Sequence, residues 1–176
     1  MKKILPYVLA FFAALAAAVL LWALRLRCPA PLTDVLSPVY GSPWELGKAA
    51  FFPLLCAAPL LWSLQRGGSR GGLCLMAVVG AGVSLGLACL LPPAAAVAAA
   101  IGAAVTLYAL VLRYMGGDAL PWYGLTIALA VAYILLTILP PSGGVFDPRT
   151  VAAAGIPFCA ALADVPAMME QSGKGA

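Results

Sequence analysis

Residues 42 to 48 hold the side chains best able to do chemistry at a membrane edge: Ser42, Trp44, Glu45 and Lys48. Glu45 and Lys48 are three residues apart, so on a helix they share a face and their opposite charges can pair. Two roles fit such a pair. Ionisable groups set in lipid often mark an ion or substrate path. Alternatively, Glu45 in a first helical turn complements the helix dipole, and Lys48 carries its charge to the headgroups by snorkelling. The structural role is the expected one, because both residues fall at the edge of an apolar stretch, where charge is tolerated.

Elsewhere the sequence removes chemistries. It contains no histidine, which excludes Ser-His and Cys-His catalysis and imidazole metal sites. The Gly-Gly repeats sit between apolar stretches and follow no strand, so they do not cradle phosphate. The five cysteines, Cys28, Cys56, Cys74, Cys89 and Cys159, form no Cys-x-x-Cys pair. Cys56, Cys74 and Cys89 lie in apolar stretches, where cysteine behaves as a small hydrophobe. The expectation is a chain with no catalytic residue, no cofactor and no metal site, and with no nucleic-acid partner.

The elements that position residues 42 to 48 are membrane spans. Hydrophobic residues make up 64% of the chain and charged residues 9%, against about a quarter charged in a soluble domain. Five nearly uncharged stretches fall at about residues 5–24, 44–64, 73–91, 94–112 and 120–139, each near the ~20 apolar residues a helix needs to cross a bilayer. The first resembles a signal peptide, but its apolar core is too long and ends in Leu21, Trp22, Leu24, Arg25 and Arg27, so it reads as an uncleaved anchor. Pro53 and Pro59 lie inside the second span and predict a kink there. Only Pro92 and Pro93 separate spans three and four, which predicts an antiparallel hairpin. Gly82 and Gly86 in span three have the spacing of a small-xxx-small packing face. Trp22, Trp44, Trp62, Tyr114, Trp122 and Tyr123 fall near span ends, where amphipathic rings anchor to headgroups.

Lysine and arginine in short loops set the orientation. Lys2, Lys3, Arg66, Arg70 and Arg113 fall on one side, against Arg25, Arg27 and Arg149 on the other. The amino terminus is therefore expected in the cytoplasm, with the proline-rich loop 28–43 and the carboxyl tail outside. In that topology Cys28 and Cys159 share a compartment, which makes a disulfide between them a hypothesis; equal migration on reducing and non-reducing gels would remove it.

The run from Ser37 to Leu55 (SPVYGSPWELGKAAFFPLL) resembles the signature of a family of small bacterial multi-pass membrane proteins, the domain of unknown function 6512 family. Its members read Pro-Val-Asn-Glu-Ser-x-Trp-Glu-His-x-Lys and then an apolar Phe-Phe-Pro-Leu run. Pro38, Val39, Ser42, Trp44, Glu45, Lys48, Phe51, Phe52 and Pro53 match it, while Tyr40, Gly41 and Leu46 stand where the family has Asn, Glu and His. A second echo lies at Pro140-Pro141, Phe146-Asp147-Pro148, Thr150 and Gly155-Ile156. The resemblance implies a multi-pass fold and no assigned activity.

The sequence thus predicts an all-α integral membrane bundle of five transmembrane helices with a kinked helix 2. Residues 1–141 form the membrane domain and 142–176 an extramembrane or interfacial tail. The expected setting is the inner membrane. The expected function is that of a non-enzymatic accessory or scaffold component in contact with lipid and with a second membrane protein or another copy of itself. The competing expectation is a small oligomeric transporter or ligand-binding protein with its site near Glu45 and Lys48.

Overall fold

The computed structural model describes residues 4–28, 30–38, 42–65 and 68–139. They form six α-helices and one 3-10 turn, with no strand among the described residues: α1 (Leu5–Arg27), α2 (Pro31–Leu36), α3 (Pro43–Leu64), α4 (Arg70–Leu87), α5 (Pro93–Leu110), the 3-10 turn Leu112–Tyr114, and α6 (Leu120–Ile138). Five of the helices are long and apolar enough to cross a membrane, so the chain is an all-helical, multi-pass membrane protein. The expected tail from 142 onward, with Cys159 and Arg149, lies outside the described residues.

Span boundaries follow local backbone chemistry. Each of α1, α2, α3, α5 and α6 has proline in its first two positions, where its fixed φ suits a helix and its missing N–H would have had no partner. α4 instead starts on a serine cap: Ser69 Oγ accepts from the Gly72 N–H at 3.1 Å. That cap starts α4 at Arg70, three residues before the expected edge. α4 ends at Leu87, and the Leu87 carbonyl accepts from both Leu90 and Leu91 N–H in the turn to α5. α3 runs as one helix through Pro53 and Pro59.

Burial sorts the helices into a centre and two flanks. α3 buries Leu46, Ala50, Phe51, Leu54, Ala57 and Leu61; α4 buries Leu73, Met76, Ala77, Gly80 and Ala81; α5 buries Ala96, Ala100, Ile101, Ala104 and Tyr108. These positions recur at three and four residues, the stripe of a packed helix face. α1 and α6 bury only Ala10 and Ala14, and Thr126 and Tyr133. α1 lies against α3 and α5, and α6 against α4. The outer surfaces of α1 and α6, with Phe12, Val19, Leu20, Ile127 and Leu135 exposed, are apolar in the way lipid contact requires.

Close approach is secured by glycines other than the expected pair. A Cβ at Gly80 would run into the Leu54 side chain, at Gly72 into the Leu112 backbone carbonyl, and at Gly47 into the Tyr133 hydroxyl. Gly82 and Gly86 are exposed, with nothing within 4 Å of a Cβ at either. The expected small-residue face therefore does not pack within this chain. It turns outward because the buried stripe of α4 runs through residues 73, 76, 77, 80, 81 and 84, which puts 82 and 86 on the opposite side.

Candidate functional site

The bundle has two ends. At the loop end, α1 finishes, α2 crosses, α3 begins and α6 finishes. At the turn end, α1 begins, α3 finishes, and α4 starts beside the 3-10 turn.

At the loop end the sequence 42–48 folds as a helix start. Ser42 caps α3 by accepting the Glu45 N–H at 3.3 Å, with Pro43 in the first turn. This sets Glu45 in the first turn, and one turn later Lys48 Nζ lies 3.4 Å from Glu45 Oε1. The expected pair therefore forms. The expected snorkelling does not: Lys48 is 0% and Glu45 5% exposed. The ammonium donates instead to the Asp34 carbonyl at 3.1 Å and to Thr137 Oγ1 at 3.0 Å. Its three N–H donors thus have three acceptors, one each from α2, α3 and α6. Thr137 donates its own proton to the Tyr133 carbonyl at 2.7 Å, which leaves its lone pairs to face Lys48. A buried charge is tolerable only when paired and hydrogen-bonded in this way.

α2 is what closes the site from above. Its start is tied by Thr33, whose hydroxyl accepts from the Ala30 N–H at 2.9 Å and lies within donating reach of the Ala30 and Cys28 carbonyls. Arg25, in the last turn of α1, fixes its far end: Nε pairs with Asp34 Oδ1 at 3.0 Å and Nη1 donates to the Pro38 carbonyl at 3.0 Å. Asp34 therefore faces two cations, holding Arg25 with its side chain and Lys48 with its backbone. Ser37 Oγ is buried here without a hydrogen-bond partner among the described residues.

Trp44, expected in the headgroup belt, is half-buried inside the bundle, its ring 4.5 Å from that of Tyr133. Tyr133 also meets Phe51 at 5.5 Å and Phe52 at 6.1 Å, so one α6 ring docks into an aromatic bay on α3 opened by Gly47. Ser84 Oγ donates to the Leu46 carbonyl at 2.9 Å and adds an α4 to α3 tie. No group of three or more His, Cys, Asp or Glu suited to a metal occurs among the described residues. The arrangement joins α2, α3 and α6 around one ammonium, with α1 attached through Arg25 and Asp34. The chain matches no family model, no curated protein and no solved structure.

Sequence reading placed Ser42, Trp44, Glu45 and Lys48 together and missed Arg25, Asp34, Tyr133 and Thr137. For the last two a signal existed. Thr126, Tyr133 and Thr137 occur at i, i+7 and i+11 of an otherwise apolar span, the spacing of one helix face. A polar stripe on such a face needs partners in a neighbouring helix.

Proposed function

We propose that the chain is a non-enzymatic accessory or scaffold component of the inner membrane, with its amino terminus in the cytoplasm. One observation carries this reading: every donor of the Lys48 ammonium is taken by a group of the same chain, at no exposure. A site that serves a substrate keeps a valence open for it, and this one does not. The orientation is supported by Arg70 and Arg113, which share the turn end with the position from which Lys2 and Lys3 precede α1, as the positive-inside tendency requires. Membership of the domain of unknown function 6512 family remains part of this proposal, on the motif from Ser37 to Leu55.

The exposed glycines support a partner. Gly82 and Gly86 lie on the outward face of α4, where a helix from another protein can approach its backbone closely. Crosslinking from a residue beside them in native membranes tests this. A product with one distinct membrane protein, lost in Gly82→Ile and Gly86→Ile, is expected. A product containing only this chain would favour the oligomeric transporter or ligand-binding reading, and would return attention to Glu45 and Lys48.

A further inference from the structure

At the turn end, Arg70 and Arg113 take part in no ion pair among the described residues, although Asp118 lies in the segment between the 3-10 turn and α6. Arg113, in the 3-10 turn, is half-buried, and Arg70, at the start of α4, is exposed. The ion pairs among the described residues join Arg25 to Asp34 and Lys48 to Glu45, both at the loop end, and neither involves Arg70 or Arg113. These two guanidinium groups rest on rings instead. Arg70 sits 4.8 Å from the Trp62 ring centroid, and Arg113 4.9 Å from that of Tyr114 and 6.0 Å from that of Tyr7. A ring face offers attraction but no full negative charge.

Arg113 also donates through Nη1 to the Tyr7 hydroxyl, across the gap between α1 and the end of α5. A guanidinium has five N–H donors and stays charged at any accessible pH. The Tyr7 oxygen accepts from it, which leaves the hydroxyl its own proton to donate. The contact therefore offers donors and lacks an anion. Behind it, Tyr108 is 0% exposed and its ring lies 6.4 Å from that of Tyr7. The Tyr108 hydroxyl and both polar atoms of Gln65 are buried with no hydrogen-bond partner among the described residues. Both side chains reach the same spot at Gly68, where the Tyr108 hydroxyl and Gln65 Oε1 lie 2.5 and 3.5 Å from a would-be Cβ. Unmet polar groups of this kind are costly in an apolar bundle, and here they gather beside a cation in no ion pair among the described residues.

We propose that Arg113 and the Tyr7 hydroxyl, backed by Tyr108 and Gln65, form a binding site for a phosphate group, supplied by the head of an anionic phospholipid. Guanidinium groups match phosphate oxygens in paired, parallel hydrogen bonds, and basic clefts between membrane helices hold lipid heads in this manner. The depth fits: Arg113 follows α5 directly, at the level where the apolar segment ends.

The test is thermal unfolding of the full chain in a neutral detergent, followed by tryptophan fluorescence, during titration with phosphatidylglycerol or with inorganic phosphate. Phosphatidylglycerol is expected to raise Tm in a saturable way by roughly 5 °C. Arg113→Gln should weaken the apparent affinity about tenfold or more, the loss expected for a hydrogen bond to a charged group. Tyr7→Phe keeps the ring and removes the hydroxyl, and should weaken it roughly fivefold; it carries the test if Arg113→Gln does not fold. Arg27→Gln, at the opposite end, should respond as wild type. A response to phosphatidylglycerol alone identifies a lipid head. An equal response to inorganic phosphate upholds the site and replaces its source with a soluble phosphate. No response to either, or one that survives both Arg113→Gln and Tyr7→Phe, overturns the proposal.

Discussion

The loop end and the turn end of this bundle both carry basic residues against the packed helices, and they treat them in opposite ways. At the loop end Arg25 and Lys48 meet Asp34 and Glu45, and the Lys48 ammonium is saturated by three acceptors. At the turn end Arg70 and Arg113 meet aromatic rings and one hydroxyl. In the first arrangement the Lys48 donors are all met within the chain. The second has attraction left over, which an anion from outside can use. Cations thus give a clamp at one end and a receptive surface at the other, and the difference lies in whether a carboxylate pairs with them.

The comparison breaks most readily at Lys48. Lys48→Met leaves Glu45 buried opposite a methyl group and is expected to destabilise by about 3 kcal/mol, as removing one member of a buried pair does. Unfolding in detergent of Lys48→Met, Glu45→Gln and the double variant should give a coupling of about 0.5 kcal/mol or more. Unchanged or increased stability would mean the charges are kept for something other than folding, and a ligand screen at Glu45 would follow. Gly72→Ala probes the turn end, since its Cβ meets the Leu112 backbone, which cannot swing away as a side chain can. A loss of about 2 kcal/mol is expected, with the 3-10 turn and Arg113 displaced together. Arg25→Gln comes next. The pair it breaks is partly exposed, its side chains at 24% and 38%, so less than about 1 kcal/mol should be lost, and less still at high salt. A larger loss would show that α2 depends on Arg25 to stay over Lys48. The smallest effect belongs to Gly82→Ala, within about 0.5 kcal/mol of wild type, because nothing in the chain faces it.

How much of this was legible in the sequence depended on range. The five spans follow from hydropathy, which is local and additive, and the Glu45 to Lys48 contact follows from helical spacing. The direction of Lys48 was not legible, because snorkelling and burial differ only in whether acceptors stand nearby, and Asp34 and Thr137 come from other helices. α2 was hidden by prolines at 29, 31 and 38: that density reads as loop, yet Pro31 sits at a helix start, where proline is favoured. The outward placing of the glycine face has the same origin. Spacing identified a small face at 82 and 86, but which face of α4 turns inward was decided by bulk on α3 and α5, through Leu54 against Gly80.

The reach of Lys48 also imposes an order on biogenesis. Thr137 lies 89 residues after it, and at about 5 to 20 residues per second roughly 4 to 18 s pass on the ribosome between the two. Asp34 and Glu45 precede Lys48, so two acceptors are ready when the ammonium enters the bilayer and the third is missing until the last span arrives. Chains truncated before Leu120 should label at Lys48 with an amine-directed reagent, and full-length chains should not. The open donor is thus a molecular sign of incompleteness, present on every growing copy and erased when α6 docks.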